Sequence, residues 1–219
     1  MPQAWRGGTL RSRGVTLLEI IVILLMVIIA AGILLPMLSR PRTRSIRTSC
    51  ASNLNQIAKA MFMYADVPAN GIFPTDATGS DPFAARPMPS LNLLYRGYIA
   101  DPKVFSCPSN PVAPALLNKI QDITAARTSG SWMTAQQSSY GYDPGHDPND
   151  AMAAIAADAP GTKPNSNNHG QNAGQNVLIG AGTVEFIISP SRPIGDGAVD
   201  NIYTLDSGLK RNQDGYIRQ

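Results

Sequence analysis

The run from Gly14 to Leu38, G-V-T-L-L-E-I-I-V-I-L-L-M-V-I-I-A-A-G-I-L-L-P-M-L, most limits what this chain can become. Residues 20–35 carry no charged or strongly polar side chain. From Val15 to Leu38, about 24 residues at ~1.5 Å each make a helix of roughly 36 Å, enough for a bilayer core of about 30 Å. The one acid in the run, Glu19, sits near its head. A carboxylate in such a helix costs about 2.5–3.5 kcal/mol on insertion scales, so it points to a partner and a function rather than to simple anchoring.

A chain of 219 residues has room for one such helix and one modest folded domain. The remainder is rich in Gly, Pro, Asn, Ser and Ala and poor in aromatics, which describes a loop-heavy domain with a small core. The net charge is +3, and Arg6, Arg11 and Arg13 on one side and Arg40, Arg42, Arg44 and Arg47 on the other flank the apolar run. Anionic headgroups explain that placement. A nucleic-acid partner is not expected, because no basic residues interleave with aromatics on a folded surface. The arginine count across the run is nearly balanced, so the orientation rests on the leader. Met1 to Gly14 is short, basic and free of acids, as a cytoplasmic leader should be. A cleavable secretory signal would have a shorter apolar stretch and a small-x-small site. Here Pro36, Ser39 and a cluster of arginines follow instead. A plain signal anchor explains the length and the arginines, but neither Glu19 nor Gly14.

These residues resemble the type IV prepilin signature. In that family a dedicated peptidase cuts after a glycine on the cytoplasmic side and N-methylates the new first residue. The resemblance implies a cut between Gly14 and Val15, with Val15 as the mature N-terminus. Glu19 takes the place of the family's acid, and Thr16, Leu17 and Leu18 fill the positions between. Val15 stands where phenylalanine is more usual, and Pro36 falls where many pilins carry a helix-kinking proline. A glycine before the scissile bond lets an extended backbone enter a narrow protease site. After cleavage the Val15 amine would lie close to the apolar phase, where Glu19 of a neighbouring copy can pair with it. Such a pair is desolvated, and removing one partner costs about 3–5 kcal/mol.

Beyond the run, Ile46, Cys50, Leu54, Ile57, Met61 and Tyr64 recur every three or four residues as one apolar helical stripe. Asn53, Gln56 and Lys59 fall off it. Pro36 and Pro41 predict a kink or a short melted stretch between the two halves. Pro68, Asn70 and Gly71 end the helix by about residue 66. The chain therefore divides into a leader (1–14), a transmembrane helix (15–38), its periplasmic continuation (39–66) and a pilin-like globular domain (67–219). Within the last part, residues 90–99 read as a helical turn leading to a short strand and 116–127 as a short helix. Residues 139–142 read as a strand, and 143–174 as a long mobile loop. Gln175–Ile179 and Thr183–Ile188 form a hairpin across Gly180-Ala181-Gly182, and residues 194–203 add a last edge.

Several later pieces resemble pseudopilin-like proteins with a prepilin-type processing-associated domain. They are C-A-S-N-L-N-Q-I-A-K-A-M-F-M-Y-A-D (Cys50 to Asp66), N-G-I-F-P (Asn70 to Pro74), F-S-C-P-S (Phe105 to Ser109), S-Y-G-Y (Ser139 to Tyr142) and the stretch from Asn168 to Phe186. The last is similar to that domain's H-x9-DG element, with His169 as its histidine and Gly182 as its glycine. Its Asp-Gly turn is here Ala181-Gly182, and the spacing from His169 is longer. If the Asp only shapes the turn, Gly180 and Gly182 supply the positive φ instead.

Cys50 and Cys107 are the only cysteines. Outside the cytoplasm an even pair in a small-core domain favours a disulfide, worth about 4 kcal/mol by chain-entropy arithmetic. The alternative is two unpaired buried thiols. No C-x-x-C is present, so neither a redox enzyme nor a zinc ribbon is indicated. His146 with Asp143, Asp147 and Asp150 offers oxygen ligands for calcium, but the spacing matches no EF-hand loop and suits ordinary turn chemistry. Asp196, Asp200, Asp206 and Asp214 are a weaker set. No metal and no cofactor is expected. With no G-x-S-x-G, Walker loop or histidine ligand pair, no enzyme is expected either.

The fold expected is α+β and pilin-like: a long N-terminal helix against a small antiparallel sheet with long loops. The function expected is a structural subunit of a type II secretion pseudopilus or type IV pilus-like fibre. Its partners are prepilin peptidase, other pilin or pseudopilin subunits and the inner membrane. Its expected location is single-pass in that membrane, with a cytoplasmic N-terminus and a periplasmic C-terminal domain. The alternative is a membrane-tethered periplasmic ligand-binding module that does not polymerise.

Overall fold

The computed structural model describes residues 16–39, 41–67, 71–77, 80–161, 165–170, 173–195, 198–204 and 215–219. The leader, Gly14, Val15, Asp196, Asp206 and Asp214 lie outside the described residues. The chain forms two compact units, Met1–Arg44 and Ser45–Gln219.

The first unit contains helix α1, Leu17–Ser39. Thr16 opens it: its Oγ1 accepts the Glu19 backbone N–H at 3.3 Å. A threonine there with an acid three residues on has the sequence of a capping box. From Leu17 to Ile29 every large apolar side chain is exposed, between 45% at Val22 and 79% at Leu17. Helix α2, Pro41–Ala65, begins on a proline, a residue suited to a helix's first position because it lacks only an N–H that would be orphaned anyway. Pro36 lies within α1 and Pro41 opens α2, while Arg40 lies outside the described residues.

The expected location in the membrane needs correction. Among the described residues no helix is long and apolar enough to cross a membrane. The single-pass inner-membrane assignment and the transmembrane reading of 15–38 are therefore withdrawn.

The second unit is built on α2. Cys50, Leu54, Ile57 and Met61 are fully buried along it, Ile46 and Tyr64 pack partly buried at its ends, and Lys59 faces out. This is the stripe that the three- and four-residue spacing predicts. It packs with Phe73, Leu91, Leu94, Phe105, Tyr140 and Tyr142. Short helices follow: α3 (Pro87–Asn92), α4 (Pro114–Leu117) and α5 (Ile123–Ser129), with 3-10 turns at Pro82–Ala84, Pro102–Phe105 and Ala135–Gln137. Asp122 caps α5 by accepting from Ala125 N–H at 2.7 Å, and Gly130 closes it in the left-handed region.

Four antiparallel strands form the main sheet in the order β1 (Tyr140–Tyr142), β2 (Ala154–Asp158), β3 (Gln175–Ile179), β4 (Val184–Ile187). Two more, β5 (Ser191–Gly195) and β6 (Ala198–Asn201), make a separate ribbon. The coarse class is therefore α+β. Strands β1, β2 and β3 are buried on both faces, whereas the edge strand β4 leaves Glu185 and Phe186 exposed. Ile155 and Leu178 join the α2 core, while Ala154, Ala157, Val177 and Ile179 pack with Ile202 and Ile217. The C-terminal segment lies beside β1, where Tyr142 pairs with Arg218.

Two expectations change here. Residues 143–174 do not form one long loop, because β2 lies inside them as the second strand of the sheet. Its A-I-A-A-D sequence is poor in β-formers, and only the close packing of both faces selects small side chains there. The single last edge expected at 194–203 is divided between the end of β5 and β6, which pair with each other in their own ribbon and not with the main sheet.

Candidate functional site

Two features stand out by their chemistry, one in each unit. In the first unit Glu19 is exposed and lies in the first turn of α1. An acid there also favours the helix dipole, by about 0.3–1 kcal/mol. Glu19 therefore has a local structural use independent of any pairing between copies.

In the second unit the polar centre is Asp158, the last residue of β2 and fully buried. Its Oδ1 accepts from Asn168 Nδ2 at 2.9 Å. Its Oδ2 accepts from the Asn176 backbone N–H at 2.6 Å, from Asn176 Nδ2 at 3.2 Å and from His169 Nε2 at 2.9 Å. A proton on Nε2 leaves Nδ1 as the acceptor of the imidazole, and Ser109 Oγ lies 3.0 Å from it. Asn168 is held in turn, because its Nδ2 also donates to Ser139 O at 2.6 Å and its Oδ1 accepts from Asn110 Nδ2 at 3.1 Å. Phe186 packs edge-on to the His169 ring at 5.9 Å, and the Arg47 guanidinium stacks on Phe186 at 4.4 Å. The sequence strings S-N at 109–110, N-H at 168–169 and Asn176 thus meet at one carboxylate.

Cys50 and Cys107 are joined by a disulfide, both fully buried, with Cα atoms 5.1 Å apart. The two sulfurs and a ring nitrogen of His169 lie within 4.8 Å of one another. The bridge therefore ties α2 to the 107–110 turn next to the Asp158 node. It also fits an oxidising, non-cytoplasmic compartment.

The line Ser109–His169–Asp158 has the residue types of a catalytic triad. Two further features describe how tightly this line is held. Asp158 is saturated by neighbours on both oxygens. The amide next to the serine, Asn110 N–H, already donates to Cys107 O at 3.0 Å, so it does not serve an oxyanion.

His146 is the centre of a second buried group. Its Nε2 lies 3.1 Å from Asp143 Oδ2 and its Nδ1 lies 3.1 Å from Asp150 Oδ2. Asp143 Oδ2 also accepts from Tyr216 N–H at 2.8 Å. Two of the three carboxylates considered for calcium, Asp143 and Asp150, thus turn inward on the imidazole, and the group pins the 143–150 turn to the C-terminal segment. Asp147 caps Asn149 N–H at 2.6 Å, which is turn chemistry. Asp200 is buried and accepts from Gly215 N–H at 3.3 Å.

Burial also pushes the phenols of Tyr140, Tyr142 and Tyr203 well above the ordinary tyrosine range. The Asp158 carboxylate adds to this at Tyr140 and Tyr203, and Asp143 adds to it at Tyr142.

The two glycines of the β3–β4 turn differ in role. Gly182 has φ +82 and supplies the left-handed residue, while Gly180 is used for close approach. A Cβ on Gly180 would meet the Asp150 carbonyl oxygen inside any permitted contact. The expectation that both glycines supply positive φ holds for Gly182 alone.

His169 and Gly182 were legible as motif positions. Asp158 was not, because it closes a strand hidden in a turn-rich stretch. No family model, curated protein or solved structure matches the chain.

Proposed function

We propose that this chain is a structural subunit of a pilus-like fibre, of the type II secretion pseudopilus or type IV pilus kind, with a pilin-like fold. Prepilin peptidase cuts after Gly14 and methylates the Val15 amine. The α1 helices of neighbouring copies then pack together as the fibre core, and the second unit forms the outer coat. The supporting observation is that α1 exposes large apolar side chains continuously from Leu17 to Ile29. A helix that is apolar all round is stable only when something apolar covers it, and exposed patches of this size mark interaction sites. Identical helices in a fibre meet that demand. Glu19 of one copy pairs with the Val15 amine of the next, which offsets the cost of enclosing a carboxylate there.

Single cysteines placed along residues 20–30 test the packing. Crosslinked ladders of subunits are expected, and monomer alone refutes the fibre. The N-terminus is read by mass spectrometry: a methylated Val15 start is expected, and an intact Met1 start in cells with an active peptidase overturns the processing step. Glu19→Gln keeps a side chain that can complete the capping box, whereas Glu19→Ala does not. If Glu19 pairs with the amine, both variants are cleaved and both assemble poorly. Normal assembly of Glu19→Gln reduces the residue to a helix cap.

A further inference from the structure

We propose that the second unit contains a redox-gated site for a soft divalent or monovalent cation, formed by Cys50, Cys107 and His169 once the disulfide is opened. The three donor atoms are already within 4.8 Å of one another, and all three residues come from different parts of the chain, α2, the 107–110 turn and the segment before β3. The site is assembled by the fold rather than by a local motif, which is why no C-x-x-C spacing announces it.

The surroundings are those of a metal-binding histidine. Such a ring usually gives its second nitrogen to a carboxylate, which sets the tautomer and makes the ligating nitrogen more basic. Here His169 Nε2 is held by Asp158 Oδ2 at 2.9 Å, and that carboxylate is itself fixed by Asn168 and Asn176. With the proton on Nε2, Nδ1 keeps its lone pair, which faces the Ser109 hydroxyl at 3.0 Å. Two thiolates and one imidazole suit zinc(II) or copper(I), and three protein ligands leave a fourth position open.

The chemistry balances with a dithiol or phosphine as reductant. Two electrons and two protons convert the bridge to two thiols: a dithiol gives both and becomes its disulfide, or a phosphine gives the electrons while one water supplies both protons and the oxygen of the phosphine oxide. The cation then displaces both thiol protons, forming two metal–sulfur bonds and one metal–nitrogen bond. Bridge and metal exclude each other, so the same two sulfurs hold α2 to the 107–110 turn in either redox state.

The test uses the full chain, reduced with a phosphine under argon and titrated with cobalt(II). The expected result is one cobalt per chain with a thiolate-to-cobalt charge-transfer band, and no band in the oxidised protein. Ser109→Ala keeps all three ligands and is expected to bind. His169→Ala loses the tetrahedral cobalt spectrum. The proposal is overturned if the reduced chain, with two titratable thiols, gives no charge-transfer band, if His169→Ala binds with an unchanged spectrum, or if the reduced chain unfolds and cobalt does not restore it.

Discussion

Asp158→Asn is the sharpest test of the second unit, because the change is nearly isosteric and every neighbour is known. The new amide must point its nitrogen at one of two oxygen positions. At the Oδ2 position it would face three donors: Asn176 N–H, Asn176 Nδ2 and His169 Nε2. At the Oδ1 position it faces one, Asn168 Nδ2. The second arrangement costs less, yet Asn168 cannot turn over to meet it without breaking its bonds to Ser139 and Asn110. One buried donor is then orphaned, at about 1–3 kcal/mol. The three contacts left at Oδ2 lose their ionic component, about 1 kcal/mol each. The expected loss is about 4–6 kcal/mol, a large share of the 5–15 kcal/mol typical of a folded protein. Urea unfolding followed by near-ultraviolet dichroism measures it, and the melting temperature should fall by about 10–20 °C. A loss under about 1 kcal/mol, the size of an ordinary surface substitution, refutes the account of Asp158 as the saturated centre of the cluster.

Alkaline titration follows from the buried phenols. The chain has seven tyrosines. Tyr140, Tyr142 and Tyr203 should stay protonated in the folded protein past the pH near 10 at which free tyrosine ionises. Because their folded pKa values are raised, their stabilising contribution is complete below about pH 10 and is lost as pH rises above it, where only the unfolded chain releases the protons. Stability measured against pH should therefore fall above about pH 10, by up to about 4 kcal/mol per pH unit for three such groups. Tyrosinate absorbance that rises fully before unfolding contradicts this. Gly180→Ala forces a methyl into the Asp150 carbonyl and should cost at least about 1–3 kcal/mol by chemical denaturation. Gly182→Ala, at φ +82, should cost about 1–2 kcal/mol for its backbone conformation. Replacing Cys50 and Cys107 together by alanine removes a cross-link over a separation of 57 residues. It should cost about 4 kcal/mol, and a denaturation midpoint unchanged from the bridged protein refutes that value.

What could be read from the chain followed from spacing over a few residues. The α2 stripe was legible because Cys50, Leu54, Ile57 and Met61 recur at the helical period. The β3–β4 hairpin was legible because two β-branched runs flank a glycine turn. The bridge between Cys50 and Cys107 was one of two open readings, and only the packing of α2 on the 107–110 turn selects it. Strand β2 escaped because alanines carry little strand signal and its neighbours are turn formers. The reading of α1 as a membrane span rested on a count of apolar residues, and among the described residues no helix is long and apolar enough to cross a membrane.

Local periodicity and turn chemistry act between residues close in sequence, so the amino-acid order alone decided where α1, α2 and the β3–β4 hairpin form. It also decided that one acid heads the apolar helix. The Asp158 cluster depends on contacts between residues up to 60 apart, such as Ser109 with His169. A buried carboxylate is tolerable only when every donor around it is in place, and those donors come together only after β2 is paired between β1 and β3. That arrangement, and the imidazole it sets against the paired sulfurs, belongs to the tertiary structure alone.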